Sequence, residues 1–163
     1  MEQLASAMQG FVALVARLAM LTIFIVSTVS NKIPQFSQTV EYMTSEGVPI
    51  PKAALAGAIG LLLVGSLSLL LGAWTRIGAF FLLVFLCAAT YYFHDFWTIN
   101  DPLQRQLQTI QFLKNLAIAG GLLSFLAFGA GPWSVDGWIG RRQAEVESDA
   151  PAAKPRVPSK AAA

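Results

Sequence analysis

The sequence is poor in the residues that most redox and metal chemistry needs. It has one cysteine, Cys87, and one histidine, His94, in 163 residues. A lone cysteine closes no intrachain disulfide, and no Cys-x-x-Cys pair or Cys/His cluster has metal-ligand spacing. No haem ligand pair, flavin motif or glycine-rich phosphate loop is present either. The chain is therefore expected to hold no metal and no electron carrier of its own. Charge is scarce as well: charged residues make up 12% of the chain, against about one quarter in soluble domains. The net charge is +2 and the pI about 8.9, but no basic stripe exists to neutralise phosphates, which argues against nucleic acid as a partner.

What is abundant is apolar. Hydrophobic residues make up 55% and the mean hydropathy is +0.59. Four runs stand out: Gly10 to Ser30, Ala53 to Trp74, Ile77 to Phe93 and Ile110 to Phe128. Each is about long enough to cross a hydrocarbon core of roughly 30 Å at 1.5 Å per residue. In lipid the backbone must satisfy its own hydrogen bonds, so these runs are read as helices. The short Thr75-Arg76 connection makes the second and third runs antiparallel neighbours. The fold class expected is all-α: an antiparallel bundle of four transmembrane helices over residues 1–140, followed from Arg141 by a disordered cytoplasmic tail, residues 141–163. A short interfacial helix is expected in the first loop, around Gln38 to Thr44. The start MEQLASAMQG has no basic segment and Arg17 interrupts the first run, so that run is read as a retained span rather than a cleaved signal.

Four spans put both termini on one side. Arg76, Arg141 and Arg142 then share it, while Lys32, Lys52 and Arg105 share the other, and this bias favours cytoplasmic termini in a bacterial-type plasma membrane. Trp74, Trp97, Trp133 and Trp138 fall near span ends, where interface anchors belong. The glycines Gly57, Gly60, Gly65 and Gly72 suggest close helix approach in the second span. Cys87, mid-span in an apolar setting, reads as packing.

A polar residue inside a span is costly, so each one is a site candidate. Arg17, Lys32, His94, Asp95, Lys114 and Asn115 make up the short list. At 100° per residue, Gln104, Gln108, Gln111 and Asn115 lie within roughly 60° of one another, an amide stripe entering the membrane. It serves either as helix-to-helix glue or as the wall of a ligand site or proton relay. Lys114 either snorkels to the headgroups or pairs with Asp95. His94 is either an interface residue or a proton-carrying group whose titration Asp95 would influence. Arg17, about two turns inside the first run, either snorkels or needs a partner in a neighbouring span. The other three runs contain no Asp or Glu, so backbone carbonyls, Ser66, Ser68, water or an anion must serve.

Three stretches carry a family resemblance over roughly Leu14 to Asp136: RLAMLTIFIVSTVSNKI from Arg17, SLLLGAWTRIGA from Ser68, and TYYFHDFW from Thr90 followed by QFLKNLAIAGGLL from Gln111. Together with the ending GPWSVDGW they resemble the DoxX family of small four-helix membrane proteins. The resemblance implies the four-helix fold and a membrane subunit linked to quinone reduction or to oxidative-stress complexes. It also implies a glutamate in the second span as partner of Arg17, whereas this chain reads IGLLLVGS there, Ile59 to Ser66.

Two functions follow as expectations. One is an accessory, redox-linked subunit that holds a quinone near His94, Asp95, Gln111, Lys114 and Asn115, with other membrane or soluble redox proteins as partners. The other is a membrane scaffold or assembly partner. A small-solute transporter, helped by homo-oligomerisation, is a weaker third. No catalytic constellation marks the chain as an enzyme by itself.

Overall fold

The computed structural model describes residues 1–149. Six helices follow one another: α1 (Glu2–Ser27), α2 (Phe36–Ser45), α3 (Pro51–Leu71), α4 (Thr75–Phe93), α5 (Pro102–Phe128) and α6 (Val135–Asp149). A π-helical turn, Thr28–Lys32, extends α1. Four helical stretches are long and apolar enough to cross a membrane: Leu4–Lys32, Pro51–Leu71, Thr75–Phe93 and Pro102–Phe128. The fold is the expected all-helical, four-span bundle, with no strand among the described residues. The chain is a multi-pass membrane protein.

Local chemistry explains the boundaries. Pro51 and Pro102 occupy the first turns of α3 and α5, where a missing N–H costs nothing. Asp101 caps α5 by accepting the Gln104 N–H at 2.8 Å. That cap starts α5 eight residues before its apolar run. The polar first turns follow from it. At the other end of the bundle, α3 stops at Gly72, whose φ of +63° is the left-handed cap that glycine adopts without strain. Residues Gly72 to Trp74 make the turn into α4, so Thr75 and Arg76 already belong to the helix rather than to the connection.

The core is a seam of Phe24 from α1, Leu62 and Leu69 from α3, Leu82 and Leu86 from α4, and Leu122 from α5. α3 packs on α1 and α4, and α5 packs on α4. Lipid tails are as apolar as these side chains, so close fit rather than water exclusion holds the seam. Gly65 shows it: a Cβ there would sit 2.6 Å from Leu82 Cγ and 2.9 Å from the Gly78 carbonyl oxygen. Of the glycines expected to bring helices together, Gly57 and Gly60 do not, since a Cβ on either meets nothing within 4 Å. A second cluster, Val40, Met43, Val48 and Leu55, seats α2 on α3. α2 is the short helix expected in the first loop, two residues longer at its start and one at its end.

Two further expectations change. The chain does not lose order at Arg141, because α6 runs to Asp149; the remainder of the expected tail, 150–163, lies outside the described residues. Arg17 is not two turns from the helix start. α1 begins at Glu2, so Arg17 is about four turns inside it.

Candidate functional site

Polar side chains gather at both ends of the bundle. The end made by the π-helical turn, α2 and the C-terminal end of α4 holds a cavity of about 410 Å³. Its floor is apolar: Phe24, Leu55, Leu86 and Ile118. Its polar wall holds Ser27, Asn31 and Lys32 from α1 and the π-turn, Thr39 and Tyr42 from α2, His94 after α4, and Lys114 and Asn115 from α5. The π-turn widens one helical turn. Such insertions recur at functional sites.

Three of the residues expected from sequence, His94, Lys114 and Asn115, thus share one cavity. Gln111 and Asp95 do not line it. Gln111 Oε1 accepts from Lys114 Nζ, and Asp95 Oδ2 accepts the Thr98 hydroxyl at 2.7 Å. The Lys114–Asp95 pair therefore does not form. His94 Nδ1 lies 2.8 Å from Gln108 Oε1, and Asn115 Nδ2 donates to Thr90 Oγ1 at 2.9 Å. Both bonds tie α5 to α4, so part of the amide stripe fastens helices. With Gln108 accepting, the His94 proton is assigned to Nδ1, which leaves Nε2 as an acceptor.

Lys32 is the residue that sequence reasoning placed on the short list but not in the site. Its Nζ donates to Ser27 Oγ at 2.5 Å and lies 5.3 Å from the Phe85 ring centroid. Neither contact neutralises a charge. Tyr42 stacks on Phe93 with centroids 5.3 Å apart, closing α2 over the cavity. Burial, then the nearby charges of Glu46 and Asp95, push the Tyr42 hydroxyl above its ordinary value, so it stays a protonated donor at neutral pH.

The opposite end is built round Arg17, which is 1% exposed and does not snorkel. Its guanidinium donates to the carbonyls of Leu69, at 3.5 Å, and of Trp133. Backbone carbonyls thus take the place of a carboxylate in the second span, and Asp136 adds a favourable charge interaction. Asp136 itself accepts the N–H groups of Trp74 and Thr75 at 2.8 and 3.0 Å, and its own N–H donates to the Gly72 carbonyl at 2.9 Å. Trp133 packs on α1, where Gly10 leaves no room for a Cβ and Phe11 meets the indole edge-on at 6.5 Å. An open hollow of about 860 Å³ flanks this junction, but its one carboxylate, Asp136, already accepts a backbone N–H on each oxygen. The smaller, more enclosed cavity is the better site.

Among the described residues no group of three or more His, Cys, Asp or Glu lies together as a metal site would need. Cys87 is exposed on the lipid-facing side of α4.

A family model described as DoxX matches residues 12–95, about half of the chain. The chain belongs to the DoxX family. The matched segment of this DoxX protein takes in Arg17, His94 and Asp95, and so joins both polar ends. A second family model, SURF4, matches residues 55–139 and takes in Lys114, Asn115 and Asp136. Inner membrane protein YphA of Escherichia coli (strain K12) is 32% identical over 124 residues, 76% of this chain and 86% of that protein. Inner membrane protein YqjF of the same organism is 32% identical over 129 residues, 79% of this chain and 92% of that protein. No solved structure matches the chain.

Proposed function

We propose that this DoxX-family chain is an accessory membrane subunit that holds a quinone head group in the cavity of about 410 Å³, with electrons supplied by a partner protein. The observation that carries the reading is the cavity's polarity. Hydrogen-bonding groups line its wall above an apolar floor, which suits a ring bearing oxygen atoms on a lipophilic tail. Lys114 keeps donors beyond its bond to Gln111, and these suit a quinone carbonyl. His94 Nε2, as an acceptor, suits the hydroxyl of the reduced quinol. The absence of a haem pair or cysteine cluster in the sequence makes the chain a holder rather than a source of electrons. Residues 1–140 act as one membrane domain with both termini in the cytoplasm, and the cavity then opens toward the outer face.

The test is quinone that co-purifies with the protein in mild detergent, measured by chromatography beside His94→Ala and Lys114→Ala. Stoichiometric quinone that both variants lose supports the reading. No quinone above the detergent blank sinks it.

A scaffold role is the second reading. It draws on the His94–Gln108 and Asn115–Thr90 bonds, which already spend polar groups on joining α4 to α5. On that reading both variants act only through stability, or do nothing, and no ligand is lost.

A further inference from the structure

The wall of the cavity carries two lysines and a histidine and not one Asp or Glu. Acidic residues do stand near its rim: Glu46 and Asp95 act on Tyr42, but neither lines the cavity. Among the described residues Lys32 forms no ion pair. Its two contacts are a hydroxyl and an aromatic face, which orient an ammonium without cancelling its charge. It is also partly buried at the end of an apolar span, where a cation without a counter-charge is costly. Ser27 accepts from Lys32 and so has its own O–H left to donate, one turn from the amide of Asn31. Donors of positive or neutral character thus converge where a negative oxygen is missing.

We propose that the cavity selects an anionic head group: a single-chain amphiphile ending in a carboxylate or in an ionised ring hydroxyl, countered by Lys32. This rests on the reading of the cavity as a ligand site and ranks a charged head above the neutral quinone, which binds there more weakly. The apolar floor of Phe24, Leu55, Leu86 and Ile118 takes the start of the chain, and α2, through Tyr42 on Phe93, covers the head. A neutral head of the same size finds the same hydrogen bonds but leaves the charge of Lys32 unanswered.

The experiment is titration calorimetry on the full chain in non-ionic detergent with three probes: laurate, dodecanol, and a neutral benzoquinone with a decyl tail. Wild type is compared with Lys32→Gln, which keeps a donor and drops the charge, and with Lys32→Arg, which keeps the charge. Thermal unfolding of each variant confirms that it is folded. The proposal expects laurate to bind at least about tenfold tighter than dodecanol. It also expects Lys32→Gln to weaken laurate about tenfold more than the quinone, and Lys32→Arg to restore laurate. Dodecanol equal to laurate, or equal losses for laurate and quinone in Lys32→Gln, overturns it. Binding of the quinone without laurate also overturns it and leaves the quinone reading standing. Laurate without the quinone does the reverse. If no probe binds, both fall.

Discussion

Asp136 accepts the Trp74 N–H at 2.8 Å, a bond between residues 62 apart in sequence. Trp74 is held at a φ of +49°, a left-handed conformation that costs a bulky side chain energy. The same carboxylate reaches Thr75 N at 3.0 Å, so one side chain supplies the cap that α4 lacks locally. Asp136→Ala removes that cap and the restraint on Trp74. The expected loss of stability is about 1–2 kcal/mol, the usual worth of an N-terminal cap. Thermal unfolding in detergent measures it, with Asp101→Ala as a comparison cap on α5.

Gly72 sits at the same junction. An alanine there meets two obstacles: a φ of +63° and the Arg17 guanidinium, which a Cβ would overlap. Gly72→Ala is expected to cost more than the roughly 1–2 kcal/mol of left-handed strain alone. Gly57→Ala, whose Cβ meets nothing within 4 Å, is expected to be neutral or slightly stabilising. Equal effects of the two changes on the melting temperature would contradict this account of the turn.

The bond from Asn115 to Thr90 separates glue from ligand site. Asn115→Leu and Thr90→Val, made singly and together, form a double-mutant cycle. The expected coupling is about 0.6 kcal/mol, the average for hydrogen bonds between membrane helices. A coupling near zero, with ligand binding lost in Asn115→Leu alone, would assign Asn115 to the ligand instead.

The proposed orientation has a direct check. A protease site placed after Gly140 should resist external protease in intact cells, and one placed in the loop at Gly47 should be cut. The reverse pattern would turn the cavity toward the cytoplasm.

Much of this architecture is legible in the sequence, because a membrane span writes itself as a long apolar run. The four runs and the short α2 emerge from hydropathy and from the prolines that bound them. The GAWTR turn and the GPWSVDGW ending are visible as separate stretches. Their docking is not, since it depends on one carboxylate reaching across 62 positions. Arg17 is conspicuous as a charge in an apolar helix. Its partners are backbone carbonyls, one of them 116 residues away, and a backbone carbonyl has no sequence signature. The cavity is legible in part. His94, Lys114 and Asn115 interrupt or end apolar runs and so draw notice. Lys32 draws notice as a charge at the end of a span, but only the π-helical turn Thr28–Lys32, which no residue pattern announces, places it in the cavity wall. Asp95 draws notice by standing next to His94, yet neighbours in sequence point apart here, and its bond goes to Thr98.

The central claim is that a quinone head occupies the cavity between the π-turn, α2, α4 and α5. A photoreactive azido-quinone, activated on the protein in membranes and followed by peptide mapping, tests it most directly. The account predicts labelling confined to the segments 23–43 and 85–118, which contribute most of the wall, and reduced by excess unlabelled quinone. Labelling spread along the lipid-facing residues of α1 and α3, or label that excess quinone does not displace, would contradict it.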